Sequence, residues 1–329
     1  MAGMNPGRRA HLTAMTALMA GGVVPTARAQ EFPSRPITLV SPFAAGGGGD
    51  ALMRPLAKRL SEKLGQPVVV ENRPGAGQTI GTAFVARSAP DGYTLLAHFL
   101  PTHVNAFATY PNLPYHPIKS FAPVGQYGTG GPQILLVSSS SKITSFQELV
   151  AAARSRSNFS YGSQGVGSTQ NLVGEMLRTE AQLPWIHVPF QGGAPAMTAL
   201  LGGHIDSLMT DASGIPHVQG GRVRAIGVSS VRRLRQLPDV PTYAELGFPN
   251  ATLDIALCVF APAGTPAPVV DRLGATLREI AQEADIREQF GKMNFEAVSG
   301  TPQDLQARME SDASKYWPLI ERLGLAKGN

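Results

Sequence analysis

The chain has 329 residues, 28 Lys and Arg against 23 Asp and Glu, and a single cysteine. At roughly 150 residues per domain, this length predicts about two domains. A hydrophobic fraction of 43% with 16% charged residues indicates a well-filled globular core and argues against disorder. One cysteine, Cys258, excludes an intrachain disulfide and any cysteine-rich zinc or iron–sulfur site. The composition also excludes collagen, coiled coil and polytopic membrane protein.

The first 29 residues have the pattern of an export signal. Arg8 and Arg9 precede an apolar stretch over 10–24, and Ala27-Arg28-Ala29 has the spacing of small residues at a cleavage site. We therefore predict a signal peptide over 1–29, cleaved after Ala29, and a soluble mature protein in the periplasm. The arginine pair leaves open whether export uses the general or the twin-arginine route. The apolar stretch is shorter than the roughly 20 residues that span a bilayer.

The basic charge of the chain lies largely in this segment. Removal of its three arginines, with no acidic residue, lowers the formal net charge from +5 to +2. No basic face with interleaved aromatic residues remains, so nucleic acid is not an expected partner. The dense run Arg232, Arg233 and Arg235 is interpreted as a solvated loop.

Short apolar runs then alternate with helical patterns, which is typical of βαβ units and parallel sheets. Leucines every fourth residue from Leu52 to Leu64 predict an amphipathic helix. The two closing helices, 267–283 and 302–323, are predicted to be the longest. The predicted strands are Ile37–Val40, Val68–Glu71, Thr94–His98, Ile134–Ser138, Phe159–Gly162, Ile186–Val188, Ser207–Thr210, Ala225–Ser229 and Ile255–Phe260.

Helix starts are indicated by capping patterns. Thr144 with Gln147 and Thr242 with Glu245 are predicted capping boxes. Thr265 and Thr301 each precede a proline and are predicted N-caps.

Two strand-to-helix loops are rich in glycine. Residues 41–50 read Ser-Pro-Phe-Ala-Ala-Gly-Gly-Gly-Gly-Asp, and residues 163–170 read Ser-Gln-Gly-Val-Gly-Ser-Thr-Gln. Such loops let the backbone approach a ligand, and the helix N-terminus that follows favours negative charge, so each loop can bind an anion. Two loops about 120 residues apart predict two lobes that close on one small anion. The alternative is that both are only tight βα turns.

Other chemistries lack their motifs. Neither loop is a P-loop, because no Gly-Lys-Ser/Thr follows the glycines, and Gly-x-Ser-x-Gly is absent. The segment 75–81 has one residue too many for a dinucleotide fingerprint. His98, His103 and His116 lack helical metal-ligand spacing. We therefore predict no catalytic residue, no metal site and no cofactor.

Six blocks carry a resemblance to a known family. In chain order they cover residues 36–50, 64–77, 89–96, 188–196, 237–242 and 260–266. Together they resemble the Bug/TctC substrate-binding receptors of tripartite tricarboxylate transporters. The resemblance implies a two-lobe α/β periplasmic binding protein, a Venus flytrap, in which each lobe is a mostly parallel sheet flanked by helices. It places lobe 1 at residues 30–130 plus 255–329 and lobe 2 at residues 131–254.

The same resemblance implies a function. The chain would be a monomeric receptor, not an enzyme, that binds a small carboxylate between its lobes and delivers it to membrane transporter subunits in transient contacts. The alternative is an exported sensor that presents its bound form to a membrane histidine kinase. By position, the implied ligand residues are Phe43, Ala44, Gly46, Gly47, Gly48, Asp50, Ser163, Gly165, Gly167, Ser168, Thr169, Gln191, Gly192, Ala194 and Asp211.

Some positions depart from the family pattern or admit another role. Gln170 stands where a histidine is common, and Pro55 replaces a helix-favouring residue. The segment 100–103 lacks a small Ser/Gly run, and as a loop facing the cleft it would alter the distal end of the ligand. Asp211 has a second interpretation as the N-cap of a helix that begins near Gly214.

Overall fold

The computed structural model describes residues 32–43, 45–46, 48–110, 112–166, 168–190, 192–322 and 324–325. The signal peptide predicted over 1–29 lies outside these residues. From Pro33 onward the chain forms one compact unit with two β-sheets. None of the helices in the described ranges is long and apolar enough to cross a membrane.

The strands and helices alternate along most of this unit. The strands are β1 (Ile37–Ser41), β2 (Val68–Asn72), β3 (Thr94–Phe99), β4 (Phe121–Gly130), β5 (Ile134–Ser138), β6 (Ser160–Ser163), β7 (Ile186–Pro189), β8 (Ser207–Thr210), β9 (Val223–Val228), β10 (Ile255–Pro262) and β11 (Phe295–Glu296). The α-helices are α1 (Gly48–Leu64), α2 (Thr79–Ala86), α3 (Leu100–Thr109), α4 (Phe146–Ser155), α5 (Thr169–Glu180), α6 (Gly193–Leu201), α7 (Ile215–Gln219), α8 (Ala267–Ile280), α9 (Ala284–Lys292) and α10 (Pro302–Arg322). Short 3-10 helices occupy Ala76–Gln78, Ala212–Gly214 and Pro249–Ala251.

The first sheet has the strand order β11-β4-β10-β3-β1-β2. β1 pairs in parallel with β2 and β3, while β10 runs antiparallel to both β3 and β4. Ile37, Leu39 and Val40 of β1 are buried, and because Leu39 and Val40 are adjacent their side chains lie on opposite faces of the sheet. Burial of these aliphatic side chains on both faces explains why the run forms a central strand.

The second sheet has the order β7-β6-β8-β5-β9. β6 pairs in parallel with β7 and β8, while β5 runs antiparallel to β8 and β9. The chain enters this sheet through residues 131–133 and leaves it through residues 229–254. No α-helix lies in either connection. Parallel neighbours are usually joined by a helical crossover, and β5 and β10, which follow these connections, each pair antiparallel with both neighbours.

Helix α10 contributes to the cores under both sheets. Leu305 and Met309 in its first half belong to the hydrophobic cluster beneath the first sheet. Tyr316 and Leu319 in its second half belong to the cluster that contains β5 and β6 side chains of the second sheet. The end of the chain therefore packs on lobe 2 as well as lobe 1, and the predicted lobe boundaries stay a prediction.

Each predicted strand corresponds to an observed one, but the sequence reasoning missed β4. This strand contains Pro123 and three glycines, which disfavour strands in isolation. Tertiary packing overrides that preference. At Gly128 a Cβ atom would lie 2.8 Å from Leu257 of β10, so the glycine allows the two strands to approach. The short strand β11 and helix α9 were also missed.

Several helix boundaries were wrong by one or more residues. Ser145, not Thr144, is the N-cap of α4, because its hydroxyl accepts from the Glu148 N–H at 3.2 Å. Pro266, not Thr265, precedes α8, and α8 ends at Ile280. At 14 residues α8 is shorter than α1, which has 17. The capping box at Thr301 is present, with Asp304 as its partner.

The predicted capping box at Thr242 and the predicted loop at 100–103 differ from expectation in secondary structure. Thr242 and Glu245 exchange the predicted capping-box hydrogen bonds, at 2.8 and 3.1 Å, but they close a turn and not an α-helix. The segment 100–103, expected as a loop, is the first turn of α3, with Leu100 and His103 fully buried. Because this turn is helical and packs into the core, the segment does not form the loop that was expected to face a cleft.

Candidate functional site

The predicted ligand residues fall into two groups, one at the carboxyl edge of each sheet. β1 ends at Ser41, and the loop 42–47 leads into α1. β6 ends at Ser163, and the loop 164–168 leads into α5. β7 leads into α6, and β8 leads to Asp211. Because the strands within each set are parallel, their carboxyl ends meet at one edge, where open α/β sheets bind ligands.

Four of the predicted residues, Ala44, Gly47, Gly167 and Gln191, lie outside the described residues. Gly48 is the first residue of α1, Thr169 is the first residue of α5, and Ala194 is an exposed residue in the first turn of α6. These three positions share one property. They lie where the first N–H groups of a helix have no intrahelical acceptor.

Asp50 holds the first loop together. It is 1% exposed, and its Oδ2 accepts hydrogen bonds from the Gly46 N–H at 2.9 Å and from Arg54 Nε at 2.7 Å. Its Oδ1 accepts from Asn72 Nδ2 at 2.8 Å. Burial alone would raise the pKa of Asp50, but the hydrogen bonds from Arg54, Gly46 and Asn72 outweigh it and lower that pKa. Both oxygens are thus used inside the protein, and the carboxylate orients the loop.

Phe43 covers the same loop from the other side. Its ring lies 4.5 Å from that of Phe99 and 5.9 Å from that of His98, edge to face. Its carbonyl accepts from Asn72 Nδ2 at 3.0 Å. A Cβ atom at Gly49 would lie 2.5 Å from the Phe43 ring, and Gly46 has a φ of +78°. Glycine at these two positions lets the loop fold tightly over the start of α1.

The second loop is organised by two serines. Ser168 is the N-cap of α5, since its Oγ accepts from the Asn171 N–H at 3.1 Å and donates to the Gly165 carbonyl at 2.7 Å. Buried Ser163 accepts from the Gly165 N–H at 3.1 Å. Gly165 has a φ of +125°, which a side chain would strain. These hydrogen bonds fix the loop between β6 and α5, so the first turn of α5 lies at the carboxyl edge of the sheet.

Asp211 connects two of the strand ends. Its Oδ1 accepts from the Ser213 N–H at 2.9 Å, which makes it the N-cap of the 3-10 helix Ala212–Gly214. Its Oδ2 accepts from Gln164 Nε2 at 3.0 Å. Gln164 in turn passes close to Gly193 at the start of α6, where a Cβ would lie 3.2 Å from Nε2. Asp211 is thus an N-cap, but of the 3-10 helix and not of α7, which begins at Ile215, and it links the loop ends of β6 and β8.

The sequence reasoning missed a buried polar network behind the second loop. His187 Nε2 lies 2.7 Å from Ser163 Oγ, and its Nδ1 lies 3.3 Å from Asn171 Nδ2. The Asn171 amide also donates to the Tyr161 hydroxyl at 3.0 Å, which donates to Glu175 Oε1 at 2.6 Å. Because an amide nitrogen only donates, Nδ1 of His187 is the acceptor and Nε2 carries the proton to Ser163.

The charge state of His187 agrees with this arrangement. Burial and then the nearby Arg178 lower the pKa of His187, which keeps the ring neutral. A signal for the residue exists in the sheet register. His187 pairs with Tyr161 across β6 and β7, and the two rings stack at 4.9 Å. A histidine paired with a buried tyrosine, two residue pairs before the one that contains Ser163, is placed to reach the loop.

The remaining groups that could react, a thiol and two imidazoles, are buried in the core. Cys258 is buried in β10, and burial raises the pKa of its thiol. His98 and His103 are buried in the core beneath the first sheet. Within the described ranges no group of three or more His, Cys, Asp and Glu side chains is placed to hold a metal ion.

Two α/β sheets whose carboxyl edges each present glycine-rich loops and helix N-termini define a two-lobe binding protein. The model of the tripartite tricarboxylate transporter family receptor, TctC, matches residues 52–325. The chain belongs to this family, and it is accordingly a solute-binding receptor and not an enzyme. The predicted family and the two-lobe α/β fold are confirmed. The sheets are mixed where mostly parallel pairing was expected, because β10 in the first sheet and β5 in the second run antiparallel to their neighbours.

Individual relatives agree in fold and length. The chain is 36% identical over 319 residues to the UPF0065 protein in the tcbD-tcbE intergenic region of Pseudomonas sp. (strain P51), which covers 96% of this chain and 94% of the relative. A structure from R. palustris with adipate has 31% identity and a TM-score of 0.74, covering 90% of this chain and 99% of that one. MatC from Rhodopseudomonas palustris with bound malate has 31% identity and a TM-score of 0.70, covering 88% and 100%.

Proposed function

We propose that the protein binds a small dicarboxylate between the two loop groups and delivers it to the membrane subunits of a tripartite tricarboxylate transporter. The observation that carries this proposal is the placement of three helix starts, those of α1, α5 and α6, at the carboxyl edges of the two sheets. Helix N-termini favour anions because their first N–H groups lack acceptors and their dipoles point positive. Two such groups match the two carboxylates of a ligand.

The relatives support the choice of ligand class. Adipate and malate, bound in the two R. palustris structures, are both dicarboxylates. In this chain Phe43, Gly46, Gly48, Gly165, Thr169, Gly192 and Ala194, with the four positions outside the described residues, would line the site. Asp50, Ser163, Ser168 and Asp211 would act as positioning residues, since their oxygens already hold the loops.

Export and partners complete the proposal. The protein would be a periplasmic monomer, released by cleavage after Ala29, and the transporter subunits would contact it only transiently. The family match names a transporter receptor and gives the histidine-kinase sensor no comparable support. A deletion strain separates these roles, because a transport receptor is needed for uptake, whereas a sensor is needed for induction of genes.

Ligand binding is tested by a thermal-shift panel on the chain without residues 1–29. Adipate and malate are the probes, and adipamide, in which both acid groups are neutral amides, is the matched control. Ligand at 100 times its dissociation constant should stabilise the protein by about 2.7 kcal/mol. A stabilisation by acids with none by adipamide supports the proposal. No shift with any dicarboxylate at 10 mM would reject the ligand class.

The network behind the second loop yields a prediction about His187. His187→Phe keeps the stacking with Tyr161 but removes the hydrogen bond to Ser163. We expect affinity for the dicarboxylate found in the panel to fall about tenfold, because loss of one buried hydrogen bond costs on the order of 1 kcal/mol and frees the loop. Titration calorimetry measures the change, with His204→Phe on the surface as control. Equal affinities of both variants would show that the network does not position the loop.

A further inference from the structure

A large cavity lies away from the predicted ligand loops. It has a volume of about 890 Å³ and is bounded by the end of β4, the segment 230–236 after β9, and helices α9 and α10. None of the predicted ligand residues lines it. Its volume falls within the roughly 300–1,000 Å³ that is usual for small-molecule sites.

Arginines gather around this cavity from three directions. Arg232, Arg233 and Arg235 come from the segment 230–236, Arg287 comes from α9, and Arg308 comes from α10. Gathering five guanidinium groups around one space is unfavourable unless negative charge lies near them. The contacts of each arginine therefore decide how much positive charge is left uncompensated.

Three of the arginines have partners. Arg233 makes an ion pair with Glu245 at 2.9 Å. Arg287 donates to the carbonyl of Ala281 at 3.2 Å, and Arg308 donates to the carbonyl of Asp254 at 3.1 Å. Arg287 also donates to the side-chain oxygen of Gln282, a neutral partner, whereas Arg308 makes an ion pair with Asp312 at 4.0 Å.

The remaining two arginines have no such partner. Arg232 and Arg235 are exposed, and their guanidinium groups make no hydrogen bond or ion pair with any residue in the described part of the chain. Both residues line the cavity.

The acidic residues of the cavity do not balance this charge. Glu288 is paired with Lys292 on its own helix at 2.8 Å. Asp254 and Glu296 are the other two acidic residues that line the cavity. Five arginines and three acidic residues give the lining a formal charge of +2, so the cavity keeps an excess of positive charge.

We propose that this cavity is a second ligand site, which takes a small anion with two or more acid groups. Planar guanidinium groups bind carboxylate, phosphate and sulfate through paired hydrogen bonds. The arginines come from the segment 230–236 and from helices α9 and α10, so a ligand with two or more acid groups can contact guanidinium groups from both parts of the lining. The site differs from the proposed carboxylate site in using side-chain cations in place of helix N-termini.

The test uses tripolyphosphate as the polyanion and acetate as the monoanion, in titration calorimetry at constant ionic strength with saturating adipate present. Arg232→Ala/Arg235→Ala removes the two unpaired donors. Arg222→Ala/Arg272→Ala is the matched control, because these two arginines are exposed, lie outside the cavity and carry the same total charge.

We expect tripolyphosphate to bind the wild-type chain at one site, and its affinity to fall at least tenfold in the cavity variant and less than twofold in the control. Acetate should show no saturable binding there. Absence of tripolyphosphate binding, or an equal loss in both variants, would overturn the proposal. A titration repeated without adipate shows whether the two compete: a tripolyphosphate affinity at least tenfold higher without adipate than with it would also overturn the proposal, because the polyanion would then occupy the carboxylate site. The adipate affinity itself, measured separately, reports on the proposed function.

Discussion

Asp50→Ala is expected to lower the free energy of unfolding by about 3 kcal/mol and to abolish dicarboxylate binding. The substitution removes the carboxylate that accepts hydrogen bonds from three donors. The carboxylate is 1% exposed and joins Gly46, Arg54 and Asn72, so it ties the loop to both α1 and β2. Without it the Gly46 N–H and the Asn72 amide lose their charged partner. Arg54 loses less, since its side chain is 54% exposed and stays hydrated.

Urea unfolding followed by circular dichroism gives the stability change, and calorimetry gives the affinity. Glu310→Ala is the control, because Glu310 is exposed on α10 and accepts one hydrogen bond from Gln306 at 2.6 Å. It should change stability by less than about 0.5 kcal/mol. If Asp50→Ala resembles Glu310→Ala in both stability and binding, Asp50 does not organise the loop.

The role of Asp50 also marks a limit of the sequence reasoning. Its place after four glycines predicts a site residue, and the structure puts it at the carboxyl edge of the sheet, in the first turn of α1 directly after the loop. The sequence could not show that Asn72, 22 residues away, would take up one of its oxygens. That contact depends on the pairing of Ser41 with Asn72 at the ends of β1 and β2. Local pattern predicts where a loop lies, and strand register decides which atoms in it are used.

The same reason explains the elements that were missed. β4 has few β-branched residues, so its local preference is weak, yet it pairs with β10 over most of its length. His187 carries no helical or metal-ligand spacing, and its role arises only because β7 lies beside β6. The fold class was predictable because the βαβ alternation and the six family blocks extend along the whole chain. Single contacts between neighbouring strands were not.

The second large effect concerns acid stability and rests on the buried histidines behind Phe43. His103 is fully buried, its ring stacks on Phe260 at 4.4 Å, and its Nε2 contacts the Pro117 carbonyl at 2.9 Å. Burial lowers the pKa of His103 from 6.5 to about 4, with the hydrogen bond to Pro117 opposing that shift. The neighbouring His98 has a pKa lowered well below 6.5, by burial and then by His103.

The sign of the effect follows from these shifts. Between pH 6.5 and pH 4 the unfolded chain binds a proton at position 103 that the folded chain does not bind, so stability is full above pH 6.5 and falls as the pH decreases. A shift of one pKa unit corresponds to about 1.4 kcal/mol, so His103 alone should remove about 3 kcal/mol across this window. His98 adds to the loss in the same direction.

Urea unfolding at pH 7, 5.5 and 4.5 tests this expectation in the wild type, His103→Gln and His204→Gln. Glutamine does not titrate, so His103→Gln should be less stable at pH 7 but should lose less stability on acidification. His204 is exposed, and its variant should follow the wild type. Burial raises the pKa values of Asp254 and Asp312, so these two carboxyl groups stabilise the folded protein as the pH falls. All three proteins contain them, and their contribution therefore cancels in the comparison.

Parallel profiles for all three proteins would contradict the assignment. The consequence for function lies in the contact between His98 and Phe43, whose rings are 5.9 Å apart. Protonation of the histidine pair places charge in the core directly behind the ring that covers the first loop. In the folded protein His103 takes up a proton only near pH 4, so the affinities of the wild type and His103→Gln for the dicarboxylate should stay in constant ratio down to pH 4.5 and separate only near pH 4, below most of the window in which stability falls.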